Sequence, residues 1–144
     1  MNRKPSFLKK SVCLVAALLM FASTAFATGP TPLTTQVMVQ NNGSTSSLTT
    51  TYTACDATNG NSFVSTGREI VQALNSGGST YTFTVSSVAD GQGRLDTALT
   101  SQSVAAGATS TVQMKYQSGW LQSGGTINLT CSNVAIKFAI LQYN

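Results

Sequence analysis

Residues 134–144 read Val-Ala-Ile-Lys-Phe-Ala-Ile-Leu-Gln-Tyr-Asn, and this stretch decides the fold. Its even positions form an apolar row with the period of two that is typical of a β-strand: Val134, Ile136, Phe138 and Ile140. The odd positions are apolar too, apart from Lys137. A strand with two apolar faces is covered on both, by its own domain or by another chain. We therefore expect the even row to fill the core, and Leu141 and Tyr143 to form an assembly face.

Shorter segments further upstream repeat this alternation. Their approximate bounds are 36–40, 48–55, 80–88, 109–117 and 127–131. Arg68–Leu74 fits either a strand or a short helix, and we favour a strand because the Asn75–Gly78 breaker follows after so few residues. Strands at roughly ten-residue spacing, joined by Gly, Asn and Ser turns, predict an all-β fold. The expected architecture is an antiparallel β-sandwich, immunoglobulin-like in the broad sense.

The start of this domain is marked by prolines and by a turn. Pro30 and Pro32 predict an extended lead-in over residues 28–35, because proline donates no backbone hydrogen bond. The β-sandwich domain is expected over residues 36–144. Asn41–Ser44 contains an Asn-Gly step, which predicts a hairpin from residues 36–40 into Leu48–Cys55.

Residues 1–27 have the pattern of a cleaved signal peptide. Basic residues precede the apolar run Val12–Phe21, and Ala25-Phe26-Ala27 is the small-x-small pattern that signal peptidase cuts after. The apolar run is about 10 residues long, against roughly 20 for a membrane-spanning helix, so no stable membrane insertion is expected. The leader resembles bacterial ones. We expect export to the periplasm, the cell surface or the medium.

Cysteine usage agrees with export. Cys13 lies in the leader, which leaves Cys55 and Cys131 as a pair in a compartment where thiols oxidise. We predict a Cys55–Cys131 disulfide, with two buried free thiols as the alternative. Closing a loop of roughly 75 residues stabilises a fold by about 4 kcal/mol in the chain-entropy treatment.

Charge excludes one class of partner. Four of the 8 Lys and Arg residues lie in the leader, so four basic residues balance the 4 acidic ones in the remaining chain. Nucleic-acid binding needs clustered Lys and Arg to displace counterions from phosphates. We expect no nucleic-acid partner.

The sequence also argues against catalysis. It contains no histidine, which removes the Ser-His-Asp triad, the Cys-His pair and the zinc sites that use histidine. Asp90 and Asp96 are near one another, but Asp90–Gly93 is typical of a turn and lacks the spacing of a calcium loop. We therefore predict a non-enzymatic protein with no catalytic residues, no metal and no cofactor.

One loop is a candidate for binding. Trp120 is the only tryptophan, and its neighbours include Tyr116, Gln117 and Gln122. Exposed aromatic rings beside amides suit glycans or protein partners, because the ring supplies contact area and the amides supply direction. The alternative interpretation is that Trp120 closes one end of the core.

The last strand resembles that of chaperone-usher fimbrial subunits, which are small exported disulfide-bonded sandwiches ending in an alternating strand with a penultimate Tyr. Two features differ from that family. Cys131 lies near the end of the chain, and Cys131-Ser132-Asn133 stands where the family has a glycine before the last strand. Subunits of that family join by donating an N-terminal extension to a neighbour, a form of β-strand addition. The resemblance implies that Thr31–Val39 is such an extension.

These observations favour an exported structural or adhesive module at the surface or outside the cell. Its partners would be other proteins or further copies of itself, with glycans as a further candidate. The alternative is a soluble secreted recognition protein, such as a lectin-like module, an inhibitor or an effector, whose loops make the contacts.

The leader gives the first testable prediction. The exported protein is expected to begin at Thr28, because cleavage follows Ala27. Amino-terminal sequencing of the protein recovered from the periplasm or medium checks this, and a start upstream of Thr28 would contradict it.

Overall fold

Ten β-strands form the described part of the chain. The structure, a computed structural model, describes residues 29–38, 49–89, 99–114 and 119–143, and no helix occurs within these ranges. In chain order the strands are β1 (Thr31–Pro32), β2 (Thr35–Met38), β3 (Thr53–Ala54), β4 (Asn61–Val64), β5 (Glu69–Asn75), β6 (Tyr81–Val85), β7 (Leu99–Val104), β8 (Thr109–Gln113), β9 (Thr126–Cys131) and β10 (Ile136–Tyr143). The all-β prediction is confirmed, and so is a strand rather than a helix after Arg68.

The strands form two sheets that pack as a sandwich. Sheet A has the order β1-β4-β9-β6-β7, and sheet B has the order β2-β10-β5-β8, with β3 also paired to β10. Most pairs are antiparallel, as predicted. β1 with β4 and β2 with β10 are parallel, so both sheets are mixed. The N-terminal segment is the source of both parallel pairs.

β10 is the central strand of sheet B and carries the core. It pairs antiparallel with all seven residues of β5, from Ile136 opposite Asn75 to Gln142 opposite Glu69. Ile136, Phe138 and Ile140 are at most 1 % exposed, and the Phe138 ring meets that of Phe83 edge-on across the sandwich at 5.9 Å. The even row therefore fills the core as expected, except for its first member.

Val134 does not belong to the core. It is 59 % exposed and precedes β10 in a turn that Asn133 holds. The Asn133 side-chain oxygen accepts from the Ala135 N–H, and its carbonyl accepts from the Ile136 N–H. The alternation continues through Val134 in the sequence, but this turn directs Val134 to solvent.

The hairpin expected around Asn41–Ser44 is not the pairing found. The turn residues lie outside the described part of the chain. Of the two strands it was to join, β2 pairs parallel with β10, and the second, reduced to Thr53–Ala54, pairs antiparallel with β10. Both strands lie along one edge of β10, because a buried central strand needs partners for its backbone groups along its whole length.

The predicted disulfide joins the two sheets. Cys55 follows β3 in sheet B and Cys131 ends β9 in sheet A, with the Cα atoms 6.5 Å apart. The Cys55 N–H also donates to the Ile136 carbonyl at 2.9 Å. The bridge thus fixes the start of β10 against the opposite sheet.

The core position of Phe138 gives a stability prediction. Phe138→Ala is expected to lower the free energy of unfolding by about 3 to 5 kcal/mol, because it leaves a cavity and removes the contact with Phe83. Val134→Ala is the matched control and is expected to change it by less than about 0.5 kcal/mol, since Val134 is exposed. Urea unfolding at neutral pH measures both, and similar losses for the two variants would contradict this assignment of the core.

Candidate functional site

One edge of β10 is shared by two strands, and a pocket opens where they separate. β3 pairs with Lys137 and Phe138, whereas β2 pairs with Ile140 to Tyr143, so Ala139 lies between the two paired stretches. A pocket of about 270 Å³ occupies this place. Its walls come from the N-terminal segment, from the chain before and in β3, and from the core: Leu33, Thr34, Gln36, Thr51, Thr53 and Phe138.

The N-terminal strand, which we define as residues 31–38, crosses from one sheet to the other beside this pocket. Its first half binds β4: the Thr31 N–H donates to the Gly60 carbonyl at 3.0 Å, and the Leu33 N–H donates to the Ser62 carbonyl at 2.7 Å. Its second half pairs with β10 from Thr35 to Met38. The strand therefore supplies an edge to both sheets.

Only one side chain of the N-terminal strand is buried. Leu33 is 8 % exposed and belongs to the core, whereas Thr31, Pro32, Thr34 and Val37 are exposed. Burying a leucine contributes about 1.5 to 3 kcal/mol. The strand is thus held by backbone bonds, by one apolar anchor and by a few polar contacts.

Those polar contacts reach the N-terminal strand at both ends. The Gln36 amide bonds the backbone of Thr51 twice: its Nε2 donates to the Thr51 carbonyl at 2.7 Å, and its Oε1 accepts from the Thr51 N–H at 2.8 Å. At the other end, the Thr31 hydroxyl donates to the Asp56 carboxylate at 2.8 Å. Asn61, fully buried, donates from Nδ2 to the Thr31 carbonyl.

Asp56 organises the turn that follows Cys55. Its Oδ1 accepts from the N–H groups of Thr58 and Asn59, both at 2.9 Å, and its Oδ2 accepts from Thr31 and from the Asn59 amide. Hydrogen bonds to the ionised form, first of all from the Asn59 backbone, lower the pKa of the Asp56 carboxyl from 3.8 to about 2. The ionised carboxylate therefore ties the disulfide turn to the N-terminal strand.

Glu69 is a fully buried carboxylate at the far end of sheet B. The backbone N–H and hydroxyl of Thr66 donate to Oε1, and the Ser65 hydroxyl and the Gly67 N–H donate to Oε2. Burial raises the pKa of this carboxyl, but these hydrogen bonds outweigh burial and lower the pKa below its ordinary 4.5. Gln142 of β10 donates to the Thr66 hydroxyl, so the loop over residues 65–67 also holds the end of the last strand.

The two residues of the expected assembly face differ in exposure. Leu141 is 6 % exposed and lies in register between Gln36 of β2 and Ile70 of β5. Tyr143 is 38 % exposed, and its N–H approaches the Arg68 carbonyl at 3.4 Å. The role of this pair in assembly stays a prediction.

The expected binding loop lies partly within the described residues. Trp120 is 9 % exposed and packs in the core, which is the alternative interpretation of this residue, and Gln122 is half-buried. Tyr116 and Gln117 lie outside the described residues, as do Asp90 and Asp96 of the calcium alternative. The binding role of this loop stays a prediction.

Sequence reasoning missed the residues that hold the N-terminal strand and the end of β10. A signal for one of them, Glu69, was present, and it also marks Asn75: Glu69, Val71, Ala73 and Asn75 alternate on one face of β5, and that face is buried. A polar residue on a buried face needs hydrogen-bond partners, so Glu69 and Asn75 were recognisable as structural. Leu33 had a weaker signal, as an isolated apolar residue just after Pro32.

Comparisons of the chain with protein-family models, with curated protein sequences and with solved structures find no match. Within the described ranges, three or more His, Cys, Asp or Glu residues nowhere come together in a way that would hold a metal ion. The same residues contain no helix long and apolar enough to cross a membrane.

The two carboxylates give a pH prediction. Because the pKa values of Asp56 and Glu69 are lower in the folded protein than in the unfolded chain, the unfolded chain takes up protons first as the pH falls. Their stabilisation is complete above about pH 5 and is expected to decline as the pH falls through 4 toward 2. Urea unfolding at a series of pH values from 7 to 2.5 measures it.

Two variants assign that decline to the carboxylates. Asp56→Asn and Glu69→Gln are each expected to flatten the curve, because each removes a titrating group. Glu69→Gln is also expected to cost about 1 to 3 kcal/mol at pH 7, since an amide cannot accept from four donors. Acid curves parallel to that of the wild type would contradict the assignment.

Proposed function

We propose that this protein is an exported, non-enzymatic structural subunit whose copies join by exchanging their N-terminal strands. The observation that carries the proposal is the seating of residues 31–38, which complete an edge of both sheets through backbone pairing and one buried side chain. In an assembly, the same segment of a neighbouring copy would take this position at the edges of the two sheets, as a form of β-strand addition.

The edge positions that residues 31–38 occupy suit an incoming strand, because they bind it mostly through main-chain hydrogen bonds. Parallel pairing with β10 uses backbone groups that any extended segment carries, and the strand adds a single apolar side chain to the core, that of Leu33. Gln36 and Thr31 add directional contacts to Thr51 and Asp56. Main-chain bonds supply affinity in such a complex, whereas Leu33 and these polar side chains supply register.

Exchange also requires that the strand leave its own domain at moderate cost. The strand pairs with only two residues of β4 and four of β10, whereas β10 keeps its seven-residue pairing with β5 when the strand is absent. An identical segment from a neighbour makes the same bonds, so the enthalpy of pairing is recovered. The core formed by β5, β6, β9 and β10 is the same in both arrangements.

A second candidate function is soluble recognition of neutral glycans, and one surface favours it. The outer face of sheet A carries hydroxyls and an amide in register, with Thr84 opposite Thr130 and Ser62 opposite Asn128. β4, β6 and β9 contain no charged residue. A monomeric protein that binds uncharged glycans, and loses binding on Thr130→Lys, would support this function instead.

A cysteine pair tests strand exchange directly. Val37 is opposite Gln142 in the parallel register, and neither side chain is buried. In the double variant Val37→Cys, Gln142→Cys, a disulfide forms within one chain when the strand is in its own domain and between chains when it is exchanged. We expect a covalent ladder on non-reducing gels of the concentrated protein.

The single variant Val37→Cys is the control, because it lacks the facing thiol and is expected to give no ladder beyond a dimer. The native Cys55–Cys131 bridge lies within one chain and adds no band. Only intramolecular bridges at every concentration, including after refolding of the concentrated protein, would overturn the exchange proposal.

A further inference from the structure

Within the described residues the two sheets end in four edge strands, and three of these strands carry features that block pairing with another chain. β1 has two residues, one of them Pro32. β7 is bulged against β6, with Ser101 at φ 50° and its N–H bonded to the Thr84 hydroxyl. β2 is four residues long, and its Gln36 is bonded to Thr51. Short length, proline and bulges are the usual protections of sheet edges.

β8 has none of these protections. It is regular over five residues, Thr-Ser-Thr-Val-Gln, with no proline, glycine or charge. All five pair with β5 in unbroken register, and within the described residues β5 is its only strand neighbour. A regular uncharged edge of this length is a template for another strand.

The direction of the free backbone groups follows from the pairing with β5. The Asn75 N–H donates to the Ala108 carbonyl, and the Met114 N–H donates to the Glu69 carbonyl. In an antiparallel strand, alternate residues direct their backbone N–H and C=O groups toward the same neighbour. The even residues of β8 therefore direct these groups toward β5. Thr109, Thr111 and Gln113 therefore direct their N–H and C=O groups away from β5, and all three are exposed.

We propose that β8 pairs antiparallel with β8 of a second copy about a two-fold axis at Thr111. This register places Thr111 opposite its own equivalent and Thr109 opposite Gln113 of the other copy. The outward-facing residues of one strand meet those of the other, so each becomes a hydrogen-bonded pair that exchanges two bonds. Sheet B of one copy then continues into sheet B of the other copy.

The charge and side-chain chemistry of β8 favour β8 of a second copy as the strand that pairs with its free edge. A two-fold contact places each residue near its own equivalent, so a charged edge would repel itself. β8 is uncharged, and the charged residues of the described chain, Asp56, Arg68, Glu69 and Lys137, all lie on other elements. Thr opposite Thr is a favourable cross-strand pair, and the Gln113 amide is able to hydrogen-bond to the facing Thr109 hydroxyl.

This dimer goes beyond the proposed function and does not depend on it. β8 and β2 lie at opposite edges of sheet B, with β5 and β10 between them. Strand exchange therefore uses one edge of the sheet and the dimer uses the other.

The test is light scattering coupled to size exclusion over a concentration series, applied to the full exported chain and to variants at Thr111. The wild type is expected to reach at least the mass of a dimer, because strand exchange would add further copies at the opposite edge of sheet B. Thr111→Lys places two ammonium groups opposite each other and is expected to weaken the dimer at least about tenfold. Thr111→Val is the control that keeps the backbone and is expected to remain dimeric.

A second measurement does not depend on affinity. Facing residues of a hydrogen-bonded pair have Cα atoms about 5.5 Å apart, within reach of a disulfide. Thr111→Cys is therefore expected to give a covalent dimer on oxidation, whereas Ser103→Cys on β7 is expected to give none. The melting temperature of each variant shows whether it folds.

Three results would overturn the proposal. They are a monomeric wild type at about 1 mM, a dimer that Thr111→Lys leaves unchanged, and no covalent dimer from Thr111→Cys. Association that persists in Thr111→Lys and disappears when Val37→Cys, Gln142→Cys is oxidised within one chain would assign the contact to strand exchange. In that outcome the β8 dimer fails while the proposed function stands.

Discussion

The pairing of β10 is the constraint on which the rest of the structure depends. This strand is apolar on both faces and central in its sheet, so its N–H and C=O groups are withdrawn from water and need protein partners. β5 satisfies one edge with seven residues in register. The other edge is satisfied in two parts, by β3 near Phe138 and by β2 from Ile140 onward. The N-terminal strand therefore completes the backbone pairing of β10, which ties the start of the described chain to its last strand.

The buried polar residues serve the same architecture, since each of them fixes a strand end. Asn61 begins β4 and bonds Thr31 and the Asp56 backbone. Asn75 ends β5 and donates to the Ser79 and Val104 carbonyls, which holds the turn before β6 to the end of β7. Glu69 begins β5 and accepts four bonds from residues 65–67. A buried polar group that loses its partners costs about 1 to 3 kcal/mol. Each of these three residues therefore destabilises any strand register that moves its hydrogen-bond partners out of reach.

Periodicity in the sequence was enough to predict the fold class and most of the core, because side-chain alternation reports which face is buried. The disulfide was predicted from the cysteine pair that remains outside the leader. Ile136, Phe138 and Ile140 illustrate this. The pairing partners were harder to predict. β2 and β3 looked like two arms of a hairpin, since the Asn-Gly step is a local signal. Their pairing to β10 instead depends on residues 105 positions away for β2 and 83 to 85 positions away for β3. The site around Leu33 was missed for the same reason: one leucine between polar residues has no period, and its role comes from burial in the core of the folded domain.

The low number of charged residues affects how the edges of the two sheets are protected. Soluble β-proteins commonly guard their sheet edges with lysine, but the lysine found on a described strand, Lys137, lies in the centre of sheet B. Among the described strands, the edges are protected by backbone features: Pro32 in β1, the bulge beside Ser101 in β7 and the short length of β2. Such features block pairing only where they occur, whereas charge would act over a longer range. In the part of the chain that the structure describes, β8 is an edge without these features, and in a concentrated solution of the protein the most abundant strand of matching length is β8 of another copy.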